Sequence, residues 1–335
     1  MPSKAEGGHA WLQEHVRSNY SAAWHERLAD GEVDASVHTP AFTTRWDNYW
    51  LEGILWLVRN VDIDGIYLDG APYERSVLRR LRAALEPLTA QRADPFLLDL
   101  HASCYGNPHL PYAELYPYID SVWFGEQCDY ASYSPEQWLA EVSGIPFGVP
   151  GQVLGNNREQ WRALVFGMTC RIYPDPHTCN PRPLWAALDA LGLRSPRMVG
   201  WWEREPLVDV LGPDAERVRA TLFASAGSIA IAVASWSASE VRFALRVDWR
   251  RLASLGLLSA AAAAAAAADQ HAQLVAPAID GFQQAGSWAA TAWLSLQPRG
   301  SGTGEGLLLQ VRPEGSAGKR RRLGWAWGKS LLGRR

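Results

Sequence analysis

A chain of 335 residues, 47% hydrophobic and 20% charged, is long and apolar enough to bury a large core, in one large domain with a smaller one beside it. A formal net charge of −3 at pH 7 excludes wholesale nucleic-acid binding, and no run of about 18 apolar residues without charge is present to cross a bilayer. The implied ligand is neutral, and among the 17 tryptophans, most of them core, some can serve as stacking rings for it.

The opening Met-Pro-Ser-Lys-Ala-Glu-Gly-Gly lacks the apolar core of a secretory signal. Residues 1–33 read as an irregular or partly helical lead-in with Trp11, Leu12, Val16, Tyr20 and Trp24, and 35–40 as a short strand. Thr44 and Asp47 resemble a capping box, opening a helix whose buried stripe would be Trp46, Tyr49, Trp50, Gly53, Ile54, Leu57 and Val58. Ile66, Tyr67 and Leu68 form a strand that ends on Asp69 and is stopped by Gly70 and Pro72. Val77, Leu78, Leu81, Leu85 and Leu88 then mark an amphipathic helix, with Arg79, Arg80 and Arg82 outward as a solvated face.

Residues 96–101 read as a buried strand, and 119–126 as another that finishes on a carboxylate. Ser134-Pro135-Glu136-Gln137 starts a helix, with Ser as N-cap and Pro at the first helical position. An extended segment over 145–150, a helix over 158–167, a strand over 168–173 and a helix over 183–191 follow. Strands alternating with helices imply βαβ units and a parallel sheet. Three successive strands ending in Asp69, His101 and Glu126 favour a barrel, whose catalytic groups sit at the C-terminal tips of its strands.

Near residue 205 the pattern changes to short strands over 218–224, 228–234 and 240–247 with no helix between them, a small antiparallel sandwich. Residues 274–279 and 307–311 return to it. The alanine run Ala260–Ala268 has no apolar stripe to dock and reads as a low-complexity loop insertion, whose removal should change stability little. The expected division is a (β/α)-barrel over 1–204, a sandwich over 205–312, and a basic, disordered tail over 313–335 containing Lys319-Arg320-Arg321-Arg322.

For chemistry, Asp69 is the first candidate, although a Leu-Asp-Gly can equally cap the next helix. Asp99 and His101, two apart in a strand, share a face; a hydrogen-bonded structural histidine is the alternative for His101. Cys104, Cys128, Cys170 and Cys179 are too few and too irregularly spaced for a disulfide scaffold or a zinc ribbon. A metal-dependent hydrolase built on His101, Asp99, His109 and Cys104 is a third reading, without diagnostic ligand spacing. No cofactor is called for.

Five stretches carry a resemblance: Trp11-Leu12-Gln13-Glu14-His15, residues 63–70, Ser121-Val122-Trp123-Phe124-Gly125-Glu126, Ser143-Gly144-Ile145-Pro146-Phe147-Gly148, and Ala276-Pro277-Ala278-Ile279-Asp280-Gly281-Phe282-Gln283. They resemble a poorly characterised family described only as glycoside-hydrolase-domain proteins, over most of residues 8–311. The resemblance implies a (β/α)8 TIM-type barrel followed by a C-terminal β-sandwich, similar in layout to α-galactosidase-type retaining glycosidases. It also implies that the first barrel strands are missing from this chain, which would leave two strand edges unpaired. In those relatives a nucleophilic Asp and an acid/base carboxylate end strands two apart, the relation Asp69 has to Glu126.

The expected function is therefore hydrolysis of a glycosidic bond by two carboxylates, in a retaining mechanism, with Asp69 as nucleophile and Glu126 as acid/base. Tyr73, Asp99, His101, Trp123 and Arg171 would contact a carbohydrate substrate, with neither nucleic acid nor membrane as partner. A non-catalytic carbohydrate-binding or degenerate barrel is the competing reading.

Overall fold

The computed structural model describes residues 22–27, 29, 33–37, 45–68, 74–102, 113–124, 128–153, 159–170, 180–193, 196–225, 228–268, 272–298 and 304–312. Within the lead-in, β1 (Ala22–Arg27) and β2 (Val33–Val37) pair as an antiparallel hairpin. Loosely helical spacing of a few aromatics does not separate helix from strand over so short a run.

Helix α1 (Arg45–Asn60) buries Asp47, Leu51, Ile54, Leu55 and Val58, a stripe spaced i, i+4, i+7, i+8, i+11. The expected stripe mixed two neighbouring faces, so Tyr49 and Leu57 stand in solvent together with Trp56. β3 (Gly65–Leu68) leads through α2 (Arg75–Thr89) to β4 (Leu97–Ala102), a parallel pair joined by a crossover helix. α2 docks through Val77, Leu78, Leu81 and Leu85.

Arg82 is not part of a solvated face. Its Nε donates to the Tyr118 carbonyl at 2.7 Å, and its guanidinium pairs with Asp120, whose Oδ2 also accepts the Leu98 N–H at 2.7 Å. The arginine thus ties α2 to the chain leading into the next strand, β5 (Ser121–Phe124). A charge run read from sequence cannot show which member has a carboxylate beneath it.

After β5 the expected capping box forms in full: Ser134 Oγ accepts the Gln137 N–H, and the Gln137 side chain accepts the Ser134 N–H. This starts the short α3 (Pro135–Gln137), which runs into a π-turn over Trp138–Val142. The segment expected to be extended at 145–150 is instead a 3₁₀ turn, Ile145–Phe147. Gly144 and Gly148 flank it at φ 70° and 72°, and a Cβ on Gly144 would stand 1.9 Å from the Val149 carbonyl oxygen. The strand begins later, as β6 (Gly151–Val153).

β3, β4, β5 and β6 are neighbours in that order, all parallel, and a bridge from Val153 to Cys170 continues the sheet by one residue. Parallel neighbouring strands, with a crossover helix between β3 and β4, are the pattern of a (β/α)-barrel wall. Helices α4 (Gln160–Val165) and α5 (Arg182–Ala190) complete the described part of this half. Cys128 and Cys170 each take part in a disulfide. Irregular spacing argued against a cysteine scaffold, yet single bridges depend on proximity in the fold, which spacing does not report.

The C-terminal half is antiparallel. Strands β7 (Arg197–Val199), β9 (Val218–Ser225), β10 (Ser228–Ser235), β12 (Gln273–Ala276), β13 (Gly286–Ala289) and β15 (Gly306–Arg312) form one sheet in the order β13-β12-β15-β10-β9-β7. A smaller sheet has the order β14-β11-β8, from β14 (Leu294–Leu296), β11 (Val241–Val247) and β8 (Val208–Leu211). Leu222, Ile231, Val233, Phe243, Leu245 and Leu309 fill the space between them. The other face of the large sheet, with Ala230, Ala232, Ala234 and Leu308, joins the core of the parallel half. Burial on both faces explains why β10 reads Ser-Ile-Ala-Ile-Ala-Val-Ala-Ser, apolar at every position between its terminal serines.

The alanine run is a docked helix rather than a loop insertion. α7 (Ala260–Ala268) is capped by Ser259, whose Oγ accepts the Ala262 N–H at 3.1 Å. Ala263 and Ala266 are each 4% exposed, and the helix packs against α6 (Trp249–Ser254). Methyl groups at i and i+3 are a sufficient stripe when two helices approach closely, and alanine has the highest helix propensity.

Candidate active site

The parallel sheet has two faces, set by the period of two along each strand. Leu68, Leu98, Leu100, Val122 and Val153 are each at most 1% exposed, with α1 and α2 contributing to the same core. The opposite face carries two rows fixed by strand register. Tyr67, Asp99 and Ser121 are neighbours in the first, and His101, Trp123 and Gln152 in the second.

Three rings of these rows form a ledge. The His101 and Trp123 centroids are 4.1 Å apart with 33° between planes, Tyr67 stacks on His101 at 5.9 Å and 20°, and Tyr67 lies 5.8 Å from Trp123. Asp99 Oδ1 accepts the Ser121 hydroxyl at 2.7 Å, which orients the carboxylate along the sheet. Tyr67 is 40% exposed, so the ledge opens to solvent at the β3 side. Such a surface can stack on a sugar ring and accept hydrogen bonds from its hydroxyls. Among the described residues of these two rows Asp99 is the one carboxylate, so those residues alone cannot divide acid and nucleophile between two groups.

Of the residues expected from sequence, the structure brings Asp99, His101 and Trp123 onto one face. Asp69, which follows Leu68 of β3 in the chain, and Glu126, two residues beyond Phe124 of β5, lie outside the described residues, as do Tyr73 and Arg171. Tyr67 and Ser121 belong to the face and were not singled out beforehand. The alternation that pairs Asp99 with His101, extended backward from Asp69, was the signal available for Tyr67. Among the described residues no group of three or more His, Cys, Asp or Glu could hold a metal ion. His109 and Cys104, two of the residues weighed as ligands, lie outside them.

Two family models match the chain. One, glycoside hydrolase 123, TIM-barrel domain, covers residues 2–173, and the other, glycoside hydrolase 123, C-terminal domain, covers 180–312. No curated protein matches the sequence. Among solved structures, a noncanonic maltogenic α-amylase from Thermotoga neapolitana is similar at 11% identity and TM-score 0.48, over 86% of this chain and 72% of its own. An α-amylase from Geobacillus thermoleovorans, complexed with acarbose, is similar at 11% identity and TM-score 0.47, over 92% and 75%. A GH30 endoxylanase from Clostridium papyrosolvens C71 is similar at 8% identity and TM-score 0.36, over 87% and 76%.

Proposed function

The chain belongs to the glycoside hydrolase 123 family and is a glycoside hydrolase, and from that premise we propose that it cleaves a carbohydrate by a retaining, two-carboxylate mechanism at the rim above the aromatic ledge. Asp69 is the nucleophile that attacks the anomeric carbon, and Glu126 protonates the departing oxygen, then deprotonates the water that releases the sugar. The observation that carries this reading is placement along the sheet. β3 and β5 are parallel and separated by one strand, β4, and each is followed within two residues by one of the two acids.

In this reading Asp99 and His101 hydrogen-bond sugar hydroxyls, Trp123 and Tyr73 supply stacking faces, and Arg171 contacts the substrate. Catalysis belongs to residues 1–204, with 205–312 as a supporting sandwich and 313–335 as a basic tail. A carboxyl gap of about 5–5.5 Å is expected, against roughly 6.5–9.5 Å for an inverting pair.

A screen of chromogenic α- and β-glycosides finds the substrate class, and two variants then test the assignment. Asp69→Asn should lose several orders of magnitude in kcat with the fold intact. Glu126→Gln should lose about 10²–10⁴-fold, and less on substrates whose leaving group needs no proton. Near-wild-type turnover by Asp69→Asn would remove it from the mechanism.

A further inference from the structure

We propose that the C-terminal sandwich carries a second carbohydrate site, built on Trp293 and separate from the barrel, that holds a neutral saccharide without cleaving it. A pocket of about 410 Å³ lies at the edge of the smaller sheet, lined by Trp293, Arg242, Ser295, Asp214 and Glu240 among others. Arg242 and Ser295 are cross-strand partners on β11 and β14, and Trp293 directly precedes β14.

The ring is held, yet open. Gly212, at φ 116°, passes so close to the indole that a Cβ there would stand 2.7 Å from it, and the Arg242 guanidinium lies 5.1 Å from the ring centroid. Even so, Trp293 is 49% exposed. A large ring already fixed in place but left in water has little further entropy to lose on binding. Asp214 accepts the Arg242 backbone N–H at 3.0 Å and has Arg217 at 3.7 Å, which orients that carboxylate at the pocket wall. Among the described residues the Arg242 guanidinium and Glu240 form no ion pair, so both keep hydrogen-bonding capacity for a ligand.

The chemistry selects the ligand class. An indole face suits the C–H face of a pyranose, the carboxylates accept from its hydroxyls, and the guanidinium and Ser295 hydroxyl donate to them. Two carboxylates against Arg242 and Arg217 leave no net positive charge, which disfavours phosphate, sulfate or uronate groups. The site stands on different residues from the proposed catalytic ones and does not depend on them.

Native gel electrophoresis of the full chain through soluble starch, galactomannan or arabinoxylan tests it, with polygalacturonate as the anionic control. Wild type and Asp69→Asn should both be retarded by at least one neutral polysaccharide. Trp293→Ala should migrate as in a polysaccharide-free gel while keeping wild-type turnover of a small chromogenic glycoside, and Arg242→Ala should weaken retardation with Trp293 still present. The proposal is overturned if no neutral polysaccharide retards wild type, if polygalacturonate alone does, or if Trp293→Ala is retarded as strongly as wild type. Loss of retardation in Asp69→Asn would also overturn it, since binding would then belong to the barrel. Absence of turnover in wild type would count against the proposed mechanism and leave the gel result intact.

Discussion

Glu136 on α3 reaches Arg219 of β9 at 3.2 Å, and that guanidinium lies 4.7 Å from the Trp201 ring, so one ion pair links the parallel and antiparallel halves. Burial by itself would raise the Glu136 pKa. Hydrogen bonds from its own backbone, Arg219 and Ser134, together with the Arg219 charge, outweigh that and hold its carboxyl below the ordinary glutamate value of 4.5. A carboxyl depressed in the folded state stabilises the fold above its ordinary pKa, and that contribution is lost as pH falls through the folded value. The melting-temperature gap between wild type and Glu136→Gln should therefore be present at pH 7 and shrink below about pH 4.5; a gap that stays constant or widens on acidification would contradict the assignment. With Glu136 62% exposed, salt should narrow the gap as well. At this scale, legibility followed local rules. Asp99 and His101 could be placed on one face because a strand has period two, and the Ser134 capping box because its partners are three residues apart. Arg82 could not be placed, since its partner Asp120 is 38 residues away in the chain.

The alanine helix α7 shows where pattern reading stops among elements. Composition argued for helix and the lack of large side chains argued against docking, yet the helix packs against α6 and buries Ala263 and Ala266. A charge at the buried position should be costly and one at its exposed neighbour should not. Ala263→Asp is expected to destabilise the chain by about 1–3 kcal/mol in urea unfolding, and Ala264→Asp by less than about 0.5 kcal/mol; equal effects would mean that α7 does not dock as described. The same limit applies to Ile145-Pro146-Phe147. Apolar and β-branched residues suggested an extended run, and only the backbone angles of the two flanking glycines reveal the 3₁₀ turn.

Across the whole molecule, the barrel-then-sandwich order was legible because helix-strand alternation gives way to strand-only spacing near residue 205. What the sequence did not reveal is how the halves join. Helix α4 lies against β10 and β15, where Ala230, Ala232, Ala234 and Gly306 keep the sheet surface low. A Cβ on Gly306 would stand 2.5 Å from Trp161 Cβ and 2.6 Å from the Val233 carbonyl oxygen. Gly306→Ala should thus cost about 1–3 kcal/mol by forcing the halves apart. Gly53→Ala, with nothing near the new methyl on α1, should instead gain about 0.4–1 kcal/mol. Opposite signs in thermal denaturation are the expected result, and a neutral Gly306→Ala would show that the joint is looser than drawn.

In the proposed retaining mechanism Asp69 forms a covalent glycosyl–enzyme intermediate. Its most direct test is peptide mass spectrometry after incubation with a 2-deoxy-2-fluoroglycoside matched to the best chromogenic substrate, since the fluorine slows release of the intermediate. A sugar adduct on the peptide containing Asp69, absent from Asp69→Asn, is the predicted result; an adduct on another carboxylate, or continued turnover with no adduct, would contradict it.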